Sequence, residues 1–248
     1  MIKQFLLAGL LVVIYTAGMA QANYQVFEVI YVKPKLDKMD LFRKAMTAHN
    51  KKYHATAPYK ASVSSIITGP NSGEYVWVMG PFTWAQMDGA PASGPGEHMG
   101  DWEKNINPNC ESIGELMYWR TVPEVYYEAP GSANFKKNRM RASCVYPGQM
   151  ERFTEQIKKV AEVFKQKKYP ASISMATREG LASAPRPNVV TFVTFDKWAY
   201  WDNNTFEKDF DEVHGTGAYA RFLEQIDLSL DRSTTYDELS EEMPELGG

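Results

Sequence analysis

The sequence predicts an α+β protein: two ferredoxin-like βαββαβ repeats packed sheet against sheet as an intramolecular pseudo-dimeric barrel. Three observations carry this. Tyr59–Asp88 and Tyr169–Asp202 both open Tyr-x-Ala-Ser-x-Ser and close Trp-Ala-x-x-Asp, an internal repeat at domain scale. The apolar patterning around each copy gives the same order of elements, strand, helix, two strands, helix, strand. Finally, "EYVWVMG" and "NVVTFVTF" are apolar on both faces, so the sheet surface that its own helices leave open needs a cover, and the second copy supplies it.

The first copy begins with the β-rich "YQVFEVIYV" from Tyr24 to Val32. Met39, Phe42, Met46 and Tyr53 then recur at helical spacing behind Asp37, a residue suited to an N-cap. "ASVSSIIT" and "EYVWVMG" read as two strands joined by the turn "GPNSG". Trp84 to about Asn107 is a glycine-interrupted helical region, and Ser112–Val122 closes the copy as a strand. In the second copy, Arg139–Tyr146 is the opening strand, and Gln149–Lys168 is a helix with Phe153, Ile157, Val160, Val163 and Phe164 on one stripe. "ASISMAT" and "NVVTFVTF" pair, Phe206–Ile226 is helical, and "SLDRSTTYDEL" is a more polar last strand. Pro34 aligns with Pro147, Tyr59 with Tyr169, Trp84 with Trp198 and Arg120 with Arg232, at offsets of 113, 110, 114 and 112 residues. The same alignment sets Glu28 opposite Arg141 at the middle of the two first strands, where a complementary pair would be tolerated inside a barrel. Two unrelated edge charges are the plainer account of the same residues.

Residues 1–22 read as a cleaved export signal: Lys3, a short apolar run from Phe5 to Tyr15, then the small-x-small "AQA". The expected organisation is a first repeat over 23–122, a linker over 123–138, a second repeat over 139–240 and a loose acidic tail over 241–248. Removing the leader takes one lysine from the 27 basic residues and leaves the 30 acidic ones. The resulting charge near −4 gives no reason to expect nucleic acid or an anionic membrane as partner. No later segment approaches membrane-spanning length, so the expectation is an exported protein, periplasmic or extracellular, off the membrane after cleavage. Cys110 and Cys144 could form one disulfide in an oxidising compartment or remain buried thiols.

With the repeated βαββαβ order and the stretch "WAYWDNNTFEKDFDEVHGTGAYARFLEQI", the chain resembles the dimeric α+β barrel superfamily in a tandem-fused form, over residues 24–240. In its small antibiotic-biosynthesis-type monooxygenases a comparable helix runs Phe-x-x-His toward an aromatic-Leu turn; Phe210, His214, Phe222 and Leu223 stand near those positions. The resemblance implies a ligand cleft between helices and sheet. It does not choose among cofactor-free monooxygenases, haem proteins, isomerases and members without activity.

Four histidines are the sharpest candidates for chemistry. His214 follows Trp198 by 16 residues and His98 follows Trp84 by 14. Each could be a general base or, should haem bind, an axial ligand. Each could equally close a helix turn against a backbone carbonyl. His49 lies on the apolar stripe of the first helix with Tyr53, as a cleft residue or a satisfied core histidine. His54 falls off that stripe, which argues against a two-histidine metal face, and no metal site is expected. Trp84, Trp198 and Phe210 belong to an aromatic set that would line a pocket for a flat ligand or simply fill a core. Arg120 and Arg232 recur in the last strand of each copy and could fork a carboxylate.

These residues leave three functions open. One is an exported protein that binds a small apolar or aromatic molecule without a cofactor. Another is a monooxygenase or haem-dependent oxidoreductase using His214. The third is a structural or interaction protein without a pocket. Glycine-rich "GAPASGPG" interrupts the second helix of copy one, so a working pocket is expected in copy two.

Overall fold

A computed structural model of the chain describes residues 24–91, 96–180 and 186–248; the leader assigned to residues 1–22 lies outside these. The strands of the first half are β1 (Val26–Pro34), β2 (Ala61–Ile66), β3 (Tyr75–Phe82), β4 (Cys110–Ile113) and β5 (Met117–Tyr127). Those of the second are β6 (Lys137–Val145), β7 (Ala171–Arg178), β8 (Val189–Phe195) and β9 (Leu230–Glu242). Their hydrogen-bonded order is β3-β2-β9-β6-β8-β7-β5-β1-β4, and a further β3–β1 pairing closes eight strands into an antiparallel barrel with β4 as a side strand on β1. Read in one direction round the barrel, the order β5-β1-β3-β2 in the first half therefore recurs as β9-β6-β8-β7 in the second. The halves join where β2 pairs β9 (Ser65↔Glu241) and β5 pairs β7 (Arg120↔Thr177). Closure removes the exposed edges that an open sheet would present.

Each half carries its helices on the outside of the barrel. In the first they are α1 (Met39–Tyr53), α2 (Trp84–Met87) and α3 (Glu97–Asp101); in the second, α4 (Met150–Lys167), α5 (Phe206–His214) and α6 (Ala218–Asp227). Alternation along β6 decides which side chain serves which layer. Met140 and Ala142 point into the barrel with Trp119, Ala176 and Val190, while Arg139, Arg141 and Ser143 point to the helices. Outside the barrel, Phe42 and Met46 of α1 pack on Val63 and Trp77, and Phe153 and Phe164 of α4 pack on Ile173 and Phe195. Full burial of one such side chain is worth about 1.5–3 kcal/mol.

Several elements differ from the sequence expectation. The helical region from Trp84 shortens to α2, then resumes as α3 and continues as a π-turn over Trp102–Ile106, which buries Trp102 and Ile106. The expected helix from Phe206 to Ile226 breaks into α5 and α6 at Gly215 and Gly217, whose φ angles of +94° and +73° are left-handed. The strand expected over Ser112–Val122 splits into β4 and β5. β5 runs on into the expected linker because Val125 is fully buried against the second half and Tyr126 pairs with Ser174. The tail expected to be loose is docked: Leu246 is buried, its carbonyl accepts from Asn50 Nδ2 at 2.6 Å, and Gly248 N–H donates to Ala61 O at 2.9 Å.

The expected Glu28–Arg141 pair does not form. Arg141 stands in register with Asp237 of β9 and donates to it at 2.7 and 2.9 Å. Glu28 takes a hydrogen bond from Tyr118 of β5, its neighbour in register, and burial raises its pKa above the ordinary carboxylate value. Both cysteines are free; Cys110 is buried with Sγ 3.2 Å from Ile106 O, and burial pushes its thiol up to about 11. Among the described residues no helix is long and apolar enough to cross a membrane.

Candidate functional site

A cavity of about 830 Å³ lies in the second half between the barrel wall and the helices α4, α5 and α6. Its apolar lining follows from two periodicities. The helical stripe Phe153, Ile157, Val160, Phe164 faces it from α4, and alternate residues Thr191 and Val193 face it from β8. Tyr200 and Trp201, on a 3-10 turn over Trp198–Asp202, border it with Phe222 of α6. Its charged border is Arg139 and Arg141 on β6 and Arg232 on β9. Arg139 and Arg141 share the Asp237 carboxylate, Arg139 Nη2 lying 2.5 Å from Oδ2. Burial alone would raise Asp237, but its hydrogen bonds from Arg141 and Arg139 outweigh that and hold the carboxyl below its ordinary range. Arg139 also lies 5.2 Å over the Trp201 ring, so a cation and a flat aromatic face meet at the same wall.

Of the residues singled out in the second half, the cavity gathers Arg141, Phe222, Leu223 and Arg232, the last of which also pairs with Asp227. His214 is turned away. Its Nε2–H donates to Lys159 O at 3.0 Å, its Nδ1 lies 3.8 Å from Glu162, and its ring stacks at 4.6 Å on Phe210. Phe210 is fully buried with Val163 and Ala218 beneath α5, and Trp198 is 41% exposed against Phe195. Arg139 was missed in the sequence. Its spacing of two from Arg141 on a strand was the available signal.

The first half is built differently at the corresponding place, among the described residues. Its helix–sheet space is filled by Trp77 and Trp102 and by a cluster of imidazoles. His49 comes from the buried stripe of α1, His54 from the residue that caps the same helix, and His98 from α3. One ring nitrogen from each lies within 4.8 Å of the other two. His49 Nδ1–H donates to Asp101 Oδ2 at 2.7 Å, leaving Nε2 bare, buried and without a partner among the protein atoms. His54 Nδ1 lies 3.0 Å from Tyr59 O; a carbonyl only accepts, so Nδ1 carries the proton and Nε2 is again bare, 3.0 Å from His98 Nε2. Burial lowers the His49 pKa and pushes His54 down to about 4, so both rings are neutral at pH 7. Burial would raise Asp101, but hydrogen bonds from His49 and Asn105 prevail and keep it ionised. Tyr53 packs on His49 and His98 at ring distances of 5.0 Å, its hydroxyl donating to Glu97 O.

The sequence argument that His54 falls off the α1 stripe holds only while the helix continues. At His54 the backbone turns out of the helix (φ −130°, ψ 31°), and the ring swings back beside His49 at 5.3 Å. Asp101 was missed; the His-x-x-Asp spacing of 98 and 101 puts both on one helix face, which was the legible signal. The remaining candidates serve other contacts. Trp84 packs on Tyr118, and Arg120 pairs with Glu179 at 2.7 Å beneath the Tyr24 ring.

No protein-family model matches the sequence, and no curated protein does. Solved structures do match by shape. A provisionally named monooxygenase from Lactobacillus acidophilus NCFM superposes with a TM-score of 0.56 at 12% identity, covering 88% of this chain and 93% of its own. An anthrone oxidase-like protein gives 0.56 at 12% identity, over 90% and 92%. A chlorite dismutase from Candidatus Nitrospira defluvii gives 0.52 at 9% identity, over 91% and 94%. What is shared is the fold, an eight-stranded antiparallel α+β barrel with helices outside. At these identities the likeness concerns the backbone alone.

Haem, which the sequence resemblance leaves open, asks for an axial donor beside an opening wide enough for a flat macrocycle. The second-half cavity presents no imidazole, thiolate or thioether among its described lining residues. Of its three tyrosines, Tyr169, Tyr200 and Tyr219, burial pushes Tyr200 up to about 12 and Tyr169 further still, which holds both in the phenol form. The first half does offer imidazoles, but their rings are packed against Tyr53, Trp77 and Trp102, which a porphyrin would have to displace.

Proposed function

We propose that the chain is an exported small-molecule-binding protein, two ferredoxin-like repeats fused in tandem, whose ligand is a flat apolar or aromatic molecule bearing an acidic group. The observation that carries this is the second-half cavity of about 830 Å³, in which an aromatic and aliphatic interior meets two guanidiniums at one wall. Arg139 and Arg141 supply forked donors for a carboxylate or phenolate, and Trp201 supplies a stacking face beside them. The volume lies within the range usual for small-molecule sites.

The probe is 2-naphthoate, read by quenching of tryptophan fluorescence in the full chain, with neutral 2-methylnaphthalene for comparison. Saturable binding of the acid, weakened about tenfold or more by Arg141→Ala and abolished by the cavity-filling Ile157→Trp, is the expected result. Binding that ignores Ile157→Trp would remove the reading.

A second reading, an oxygen-consuming enzyme using the same cavity, is favoured by the neighbours named for monooxygenase and anthrone oxidase-like proteins. It does not run through His214, whose ring is committed to Lys159 O. Oxygen uptake on adding anthrone to the full chain, lost in Ile157→Trp, would select it over binding alone.

A further inference from the structure

We propose that His49, His54 and His98 form a binding site for one divalent first-row transition ion of the zinc class, held by three imidazoles. The site lies in the first half, apart from the cavity above. Four features carry it. The three ligand nitrogens already lie within 4.8 Å of one another, and His54 Nε2 and His98 Nε2 are 3.0 Å apart. A tetrahedral ion at about 2.0–2.1 Å from each nitrogen needs spacings of about 3.3 Å, so small side-chain adjustments suffice. The tautomers of His49 and His54 are set from outside: an ionised carboxylate takes the Nδ1 proton of His49, and a backbone carbonyl takes that of His54. These are the outer partners that zinc-bound histidines use, and they leave both Nε2 lone pairs turned inward. His49 Nε2 is fully buried with no hydrogen-bond partner among the described residues, a costly arrangement for a core histidine and the expected one for a ligand. Finally, imidazole-only donation selects zinc, copper, nickel or cobalt over magnesium or calcium, which want oxygen.

Asp101 acts in this scheme as a positioning residue. It sits one helical turn after His98, so α3 delivers a ligand and the outer partner of another ligand together. Taking up an ion displaces the proton that His54 Nε2 and His98 Nε2 now share. Three protein ligands leave a fourth position for water or a small anion, the pattern of open rather than purely structural zinc sites.

The test uses the full mature chain without a histidine tag. Calorimetric titration with Zn²⁺ should give one equivalent per chain. Binding should be lost in His98→Ala, weakened about 10–100-fold in Asp101→Asn, and unchanged in His214→Ala. Because His49 and His54 are buried, their variants risk unfolding. Electron paramagnetic resonance of Cu²⁺ bound to the unaltered protein counts its nitrogen ligands instead. Three nitrogens support the site, and two or fewer overturn it. No uptake of Zn²⁺, or uptake that survives in His98→Ala, also overturns it. Binding of 2-naphthoate is read separately and is expected to be indifferent to all these variants.

Discussion

Asp237 on β9 is shared by Arg139 and Arg141 of β6, at 2.5 Å from one guanidinium and 2.7 Å from the other. One carboxylate thus restrains two cations at the border of the ligand cavity. The relationship follows from strand geometry, since residues two apart on β6 face the same side and Asp237 stands in register with Arg141.

Asp237→Asn should therefore act in two opposite directions. Stability should fall by about 1 kcal/mol, because the pairs are partly exposed and solvent screens them. Affinity for 2-naphthoate should rise, by roughly three- to tenfold, because the guanidiniums lose their internal competitor and the local charge becomes more positive. Salt should weaken the variant's binding more steeply than the wild type's. A titration at two ionic strengths together with a melting curve checks all three; weaker binding in the variant would show that the arginines do not face the ligand.

The barrel was legible in the sequence because it rests on a repeat and on strands apolar on both faces, features set by every residue of a segment. Val76 and Val78 turn to the barrel interior while Tyr75 and Trp77 turn to α1, so both faces are buried as the run "YVWV" requires. The details of the site were not legible in the same way. Whether His54 joins His49 depends on one backbone turn at the end of α1, and whether His214 reaches a cavity depends on Lys159 lying nearby. Neither is a property of periodicity. The tail misled for a related reason: "EEMPELGG" is polar in composition, yet its single leucine is the residue that buries.

Glu238 carries a pH prediction. It is 3% exposed at the barrel interior, receiving hydrogen bonds from Tyr31 Oη at 3.2 Å and Asn71 Nδ2 at 2.5 Å. Burial raises its pKa above the ordinary 4.5, the hydrogen bonds from Asn71 and Tyr31 offsetting only part of this. The folded state thus holds this proton more tightly than the unfolded chain does. Its contribution to stability is complete below pH 4.5 and is lost as pH rises through the folded value. Glu238→Gln removes that loss while keeping an acceptor for Asn71. The variant should melt higher than the wild type at pH 7, and the difference should shrink as pH falls toward 4. A melting series across that window decides it; a gap that widens toward acid would mean the carboxylate is stabilised as an anion.

Asn50 carries the last prediction. It is fully buried on α1 and uses both ends of its amide: Oδ1 accepts from Trp77 Nε1–H at 2.8 Å, and Nδ2 donates to Leu246 O at 2.6 Å. One side chain thus ties β3 to α1 and α1 to the docked tail. Asn50→Ala strands an indole N–H and a carbonyl in the core, each costing about 1–3 kcal/mol, and leaves a small void besides. The expected loss is about 3–5 kcal/mol, with the tail released along with it. Asn50→Asp separates the two roles, since the carboxylate still accepts from Trp77 but cannot donate to Leu246. Amide hydrogen exchange reads the difference. In Asn50→Asp the amide of Gly248, bonded to Ala61 O, should exchange faster while those of β3 stay protected, whereas Asn50→Ala should expose both.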